Sequence, residues 1–182
     1  MSKQTNQNRF FHRGALVGIL ALSGIAGCGE GQLEPTASAA YALTGHVAGP
    51  YGSTGGTAQG PGSDHLTPVT YIIGYGNSSY VFGIKLFWGS TSLMYGQTNG
   101  LAAQEFDLTD DPVTSVKYVI TSNVVRGIRF ANSSGNLALG LTGGEFVAFS
   151  DPNDVFTDMQ TWQATINGTK VLAGAKFYYT TP

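Results

Sequence analysis

Val81-Phe82-Gly83-Ile84-Lys85-Leu86-Phe87, Val125-Arg126-Gly127-Ile128-Arg129-Phe130-Ala131 and Leu172-Ala173-Gly174-Ala175-Lys176-Phe177-Tyr178 are three versions of one segment. Each runs apolar residue, variable residue, Gly, apolar residue, base, large apolar residue. Their glycines lie 44 and 47 residues apart. Other columns keep the same period. Fourteen residues before each Gly stand Val69, Val113 and Gln160, each followed by Thr. Five residues before each Gly stand Ser78, Ser122 and Thr169. A second series, Gly56, Gly100 and Gly144, is spaced by 44 and 44, behind Gly55, Asn99 and Gly143. Self-similarity at one fixed period marks a repeated supersecondary unit that needs its neighbours to bury its inner face.

Working outward, each unit reads as a pair of strands. Val69 to Ile73 and Tyr80 to Trp88 are rich in β-branched and aromatic residues, with turn material at Gly76-Asn77-Ser78-Ser79 between them. The second unit repeats this over Val113 to Ile120 and Val124 to Ala131, around Thr121-Ser122-Asn123. The third has Met159 to Ile166 and Lys170 to Thr180 around Asn167-Gly168-Thr169, and Asn-Gly is a strong hairpin signal. No segment after residue 44 has sustained helical periodicity. The expectation is an all-β domain over 44–182, closed and three-sided.

Composition agrees. The chain has 182 residues, of which 26 are Gly; 11% are charged and 12% aromatic, which excludes a long charged helix and a charge-driven disordered chain. The net charge of −2 gives no footprint for nucleic acid. A single Cys, Cys28, excludes an intrachain disulfide and Cys-based metal clusters.

The first 43 residues read as targeting rather than fold. Lys3, Arg9 and Arg13 precede an uncharged, mostly apolar run from Gly14 to Ala26. As a helix that run would span about 20 Å, short of a bilayer core of about 30 Å, so it is a secretory signal rather than a membrane span. Ile25-Ala26-Gly27-Cys28 resembles a bacterial lipobox. That resemblance implies a lipoprotein signal peptide over 1–27 and lipidation of Cys28 by a diacylglyceryl group and palmitate. A flexible tether over 28–43 would follow. Gly29 in place of Asp implies sorting to the outer membrane or cell surface of a bacterial envelope. Without the signal, six Lys+Arg face eleven Asp+Glu.

Gly49-Pro50-Tyr51-Gly52-Ser53-Thr54-Gly55-Gly56-Thr57, Asp107 to Val116, Val125 to Phe130 with Asn132, and Leu141-Thr142-Gly143-Gly144-Glu145-Phe146 together resemble the jacalin-related lectins. The resemblance covers 44–182. It implies a β-prism I fold, three four-stranded Greek-key sheets with pseudo-three-fold symmetry. It also implies a non-catalytic, carbohydrate-binding module without cofactor or metal, whose partners are a glycan and, through the lipid, a membrane. Homo-oligomers are compatible with it. Carried over by position, the sugar site falls on Gly55 and Gly56, whose backbone N–H groups would meet hydroxyls. Its other half is the stretch Asn167, Gly168, Thr169, Lys170, Leu172 and Ala173. Here the sequence departs from the family. The acidic acceptor of its Gly-x-x-x-Asp loop becomes Ala173, five residues after Gly168 rather than four. Losing such an acceptor costs roughly 1.5–3 kcal/mol. The alternative is therefore a structural or protein-interaction module with a degenerate sugar site.

Other residues have a structural role to set beside each functional one. Asn77 and Asn123 sit in turns equivalent to Asn167, with Tyr51, Tyr75 and Tyr80 as candidate sugar platforms. Asn in such turns commonly serves the backbone. Trp88 and Trp162 lie in strand patterns and read as core. Lys85, Arg129 and Lys176 read as outward strand positions, or as a basic ring for an acidic glycan. Asp107, Asp110 and Asp111 read as turn caps, with calcium binding as the sharper alternative. Asp64, His65 and His46 are too scattered for a metal site. Glu105 and Glu145 have no fixed separation as a glycosidase pair.

Overall fold

The computed structural model describes residues 44–61 and 66–181. The signal peptide, Cys28 and the tether lie outside the described residues, as do Asp64 and His65. The described residues form twelve strands and no helix. These are β1 (Thr44–Gly52), β2 (Thr57–Gln59), β3 (Tyr71–Gly76), β4 (Val81–Trp88), β5 (Thr91–Gly96) and β6 (Gln104–Asp107). After them come β7 (Ser115–Thr121), β8 (Val124–Ala131), β9 (Asn136–Gly140), β10 (Phe146–Ser150), β11 (Val155–Ile166) and β12 (Thr169–Thr181).

They pair into three four-stranded antiparallel sheets, ordered β1-β12-β11-β2, β5-β4-β3-β6 and β10-β7-β8-β9. The central hairpin of each sheet, β3–β4, β7–β8 or β11–β12, is the repeated segment of the sequence. The expected three-sided prism of Greek keys is the fold. Several boundaries differ from the sequence reading; β11 begins at Val155 rather than Met159, and β3 runs on to Gly76. Val69 and Val113 precede β3 and β7 rather than opening them, yet both are buried. The flanking strands were not legible in the repeat because they are short and mostly exposed.

Every sheet sends apolar side chains inward. Ile72, Ile84 and Leu86 meet Ile128, Phe130 and Leu139, and Met159, Leu172 and Phe177 complete one shared core. No sheet has another surface for these residues, so the three keys stabilise one another.

The repeated glycines have a packing cause. At Gly83 an added Cβ would stand 2.6 Å from the Gln97 carbonyl oxygen, and at Gly96 (φ +84) it would stand 2.2 Å from that of Phe82. The two backbones touch there, and the Gln97 N–H donates to the Phe82 carbonyl at 3.0 Å. The same bond recurs as Leu141 N–H to Arg126 O at 2.8 Å and Ser53 N–H to Ala173 O at 3.0 Å. Each bond ties the loop after an outer strand onto the central hairpin. That fixes where the loops at this end of the prism begin.

Candidate functional site

Six connections share one end of the prism, called here the loop end. They are the β1–β2, β5–β6 and β9–β10 loops and the tips of the three central hairpins. At the β11–β12 tip, Asn167 (φ 51) and Gly168 (φ 79) make a two-residue turn in the left-handed region, which Asn-Gly adopts at little cost. Ile166 then pairs with Thr169, and Thr165 with Lys170. The stretch from Thr169 is therefore strand, as the sequence pattern has it from Lys170, and not the loop that the family resemblance implies. This corrects part of the expected site. Leu172 and Ala173 are fully buried, so neither side chain can reach a ligand. Leu172 belongs to the core, and the Ala173 carbonyl is taken by Ser53.

Gly55 lies exposed in the β1–β2 loop. Gly56 is pressed onto β11, where an added Cβ would be 1.7 Å from the Gln163 carbonyl oxygen. Its glycine requirement is thus met by packing against the protein's own backbone.

The cleft at this end opens on another side of the hairpin tip. It holds about 570 Å³, within the range of about 300–1,000 Å³ usual for small-ligand sites. Gly168, Thr169 and Lys170 form one wall; Gln97, Asn99 and Leu101 of the β5–β6 loop form the other, with Phe82 of β4 between them. Gly55 and Gly56 do not line it. The walls are joined by the Asn99 side-chain amide, which donates to the Lys170 carbonyl at 3.2 Å, while Gln97 Nε2 donates to Asn99 Oδ1. The lining thus combines amides, a hydroxyl and one ammonium with two apolar side chains. Such a mixture suits a ligand with one apolar face and a polar edge. Gln97, Asn99, Leu101 and Phe82 were missed as site residues. The available signal was the Asn99-Gly100 column of the second glycine series, read only as a turn.

The remaining candidates have structural partners. Asn77 Oδ1 accepts from the N–H groups of Ser79 and Tyr80 at 2.9 Å each, so it serves its own turn. Asn123 (φ 59) occupies the β7–β8 turn. The Tyr80 ring lies 3.9 Å from the Arg126 guanidinium, whose Nε donates to the Ser79 carbonyl at 2.8 Å. Tyr51 stacks on Tyr118 at 4.0 Å, and burial followed by the neighbouring Tyr179 raises its hydroxyl pKa. Trp88 donates to the Thr157 carbonyl at 2.8 Å and packs on the core; Trp162 is half-buried on β11. Lys85 and Lys176 lie over Phe87 and Tyr178, and Arg129 pairs with Glu145 at 2.9 Å. Glu105 accepts from the Tyr71 hydroxyl at 2.6 Å. Among the described residues no group of three or more His, Cys, Asp or Glu could hold a metal ion.

At the opposite end, Asp107 accepts from the Thr109 N–H and hydroxyl, and Asp111 from Ser133 and Ser134. These bonds hold both carboxyls below the ordinary aspartate range. A depressed folded-state pKa gives stability that is present above the unfolded value and lost as pH falls through the folded one. Melting temperature should therefore fall as the buffer is taken into the acid range. Asp111→Asn should be less stable at neutral pH and lose less on acidification, measured by thermal melts.

No protein-family model matches the sequence, and no curated protein is similar to it by sequence. Solved structures are similar in fold. Malaysian banana lectin superposes with a TM-score of 0.60 at 11% identity, over 76% of this chain and 100% of that one. Single-chain recombinant jacalin gives 0.56 at 17% identity, over 80% and 100%. A mannose-binding jacalin-related lectin from Ananas comosus gives 0.56 at 15% identity, over 77% and 99%. The fold is the jacalin-type β-prism. Identity this low speaks for the β-prism and leaves the site to be argued from its own residues.

Proposed function

We propose that the chain is a non-catalytic carbohydrate-binding β-prism. It would be displayed on a bacterial envelope by a lipid on Cys28, with outer-membrane or surface sorting. The cleft between Lys170 and Asn99 carries this reading. A saccharide offers C–H faces that pack on apolar side chains and hydroxyls that exchange hydrogen bonds with amides, and the lining offers both. The site is rigid, since its walls are a tight hairpin and a loop tied to β4 by a backbone bond. Little ordering is lost on binding, which favours reversible capture. Of the expected site, Gly168, Thr169 and Lys170 contribute to this cleft, Asn167 shapes the turn beside it, and Gly55 serves the neighbouring loop.

The full-length protein in detergent, applied to a glycan array, should show saturable binding. Asn99→Ala should weaken it by about tenfold, through loss of the bond that holds the two walls together. Absence of any saturable glycan would sink this reading. A second reading, a protein-interaction or structural module, is favoured by Phe146 and Val147. They stand 56% and 55% exposed on the edge strand β10. A protein partner captured by the envelope-bound chain and unaffected by free sugars would support it.

A further inference from the structure

We infer that the saccharide taken by this cleft is anionic, carrying a carboxylate or sulfate ester beside its hydroxyls; the inference rests on reading the cleft as a glycan site. Charge is segregated along the prism. At the loop end the described residues place Lys170 and Arg126. The one carboxylate in the described loops of that end, Glu145, is held by Arg129 at 2.9 Å. The opposite end carries Asp107 at the end of β6, Asp110 and Asp111 in the β6–β7 connection, and Asp151 and Asp154 in the β10–β11 connection. A chain that is acidic as a whole thus places an ammonium and no carboxylate in the lining of this cleft.

The cleft's hydrogen-bonding inventory points the same way. Asn99 spends its Oδ1 on Gln97 and an N–H on the Lys170 carbonyl. What remains for a ligand is the Lys170 ammonium, one further N–H each on Asn99 and Gln97, the Gln97 Oε1 acceptor and the Thr169 hydroxyl, which both donates and accepts; the one charged group among them is the ammonium. No carboxylate lines the cleft, and Lys170 is exposed with no carboxylate partner among the described residues. Paired hydroxyls of a neutral sugar are met most strongly by a carboxylate, and the lining's acceptors are neutral. A carboxylate or sulfate on the sugar is acceptor-only and matches donors without competition. Phe82 and Leu101 remain for the ring's apolar face.

The test uses the full-length protein on an array holding neutral, uronate-containing and sulfated glycans, with the best acidic binder titrated against its neutral counterpart. That counterpart is the methyl ester for a uronate and the desulfated form for a sulfate. Acidic glycans should dominate, the acid should bind about tenfold tighter than its neutral form, and the advantage should shrink as salt is raised. Lys170→Gln should remove the preference and Lys170→Arg keep it, with thermal melts unchanged because the side chain is exposed. Uronate or sulfate arms, whichever responds, identify the anion. Equal binding of acid and neutral forms, or hits confined to neutral glycans, would overturn the inference and leave the glycan reading standing. An array with no saturable binder would overturn both.

Discussion

Gly140→Ala should destabilise the domain by about 2–5 kcal/mol, whereas Gly144→Ala should cost only about 1–2 kcal/mol. The two positions share a backbone problem. Gly140 has φ +78 and Gly144 φ +67, a region that costs an L-residue about 1–2 kcal/mol. They differ in surroundings. A Cβ at Gly144 meets nothing within 4 Å. A Cβ at Gly140 stands 2.1 Å from the Arg126 carbonyl oxygen and 3.0 Å from a Val81 methyl. The carbonyl cannot swing away without giving up the bond it accepts from Leu141 at 2.8 Å. Relieving the clash therefore breaks the tie between the β9–β10 loop and the hairpin, adding about 1–3 kcal/mol of overpacking. Urea unfolding midpoints of the two variants decide the matter. Equal losses would mean that Gly140 is required for its turn conformation alone.

The glycines of the central hairpins, which face this contact from the other side, explain what the sequence discloses and what it hides. Gly83, Gly127 and Gly174 recur because one backbone must lie against another in every key, a demand only glycine meets. A rule imposed on the backbone survives while side chains diverge, so the repeat was visible and the prism followed from it. β2, with three residues, and β6, with Gln104 and Glu105 exposed, bury too little to leave a pattern. Leu172 and Ala173 lie in the strand pattern and entered the expected site only through the family's Gly-x-x-x-Asp loop; both faces of β12 are buried near Gly174, so neither is free for a ligand. The second face is covered by Ser53, whose carbonyl oxygen lies 2.2 Å from where a Gly174 Cβ would sit. The site was half legible for a related reason. Asn167-Gly168 announces its turn locally. Its partner across the cleft, Gln97 to Leu101, belongs to a different repeat, and spacing within one unit says nothing about which loops of neighbouring units meet.

Phe156→Ala should cost about 3–5 kcal/mol, a large part of the roughly 5–15 kcal/mol that holds a typical domain together. Phe156 sits near the start of β11 with no exposed surface. Its ring lies 5.2 Å from that of Phe130 and 6.4 Å from that of Phe177. Its backbone reaches the two other keys, donating to the Val113 carbonyl at 2.9 Å and accepting from the Val69 N–H at 3.2 Å. Those two bonds need no side chain and survive the substitution, so the loss measures the cavity where the three sheets converge. Phe156→Leu, which refills most of that space, should recover more than half of it. Because the keys share this core, they should unfold as one. Trp88 reports on β4 and Trp162 on β11, so fluorescence of variants keeping a single Trp should give coincident urea transitions in the wild-type background and in Phe156→Ala. Separate transitions, or a loss below about 1 kcal/mol, would contradict a prism whose three sides are stable only together.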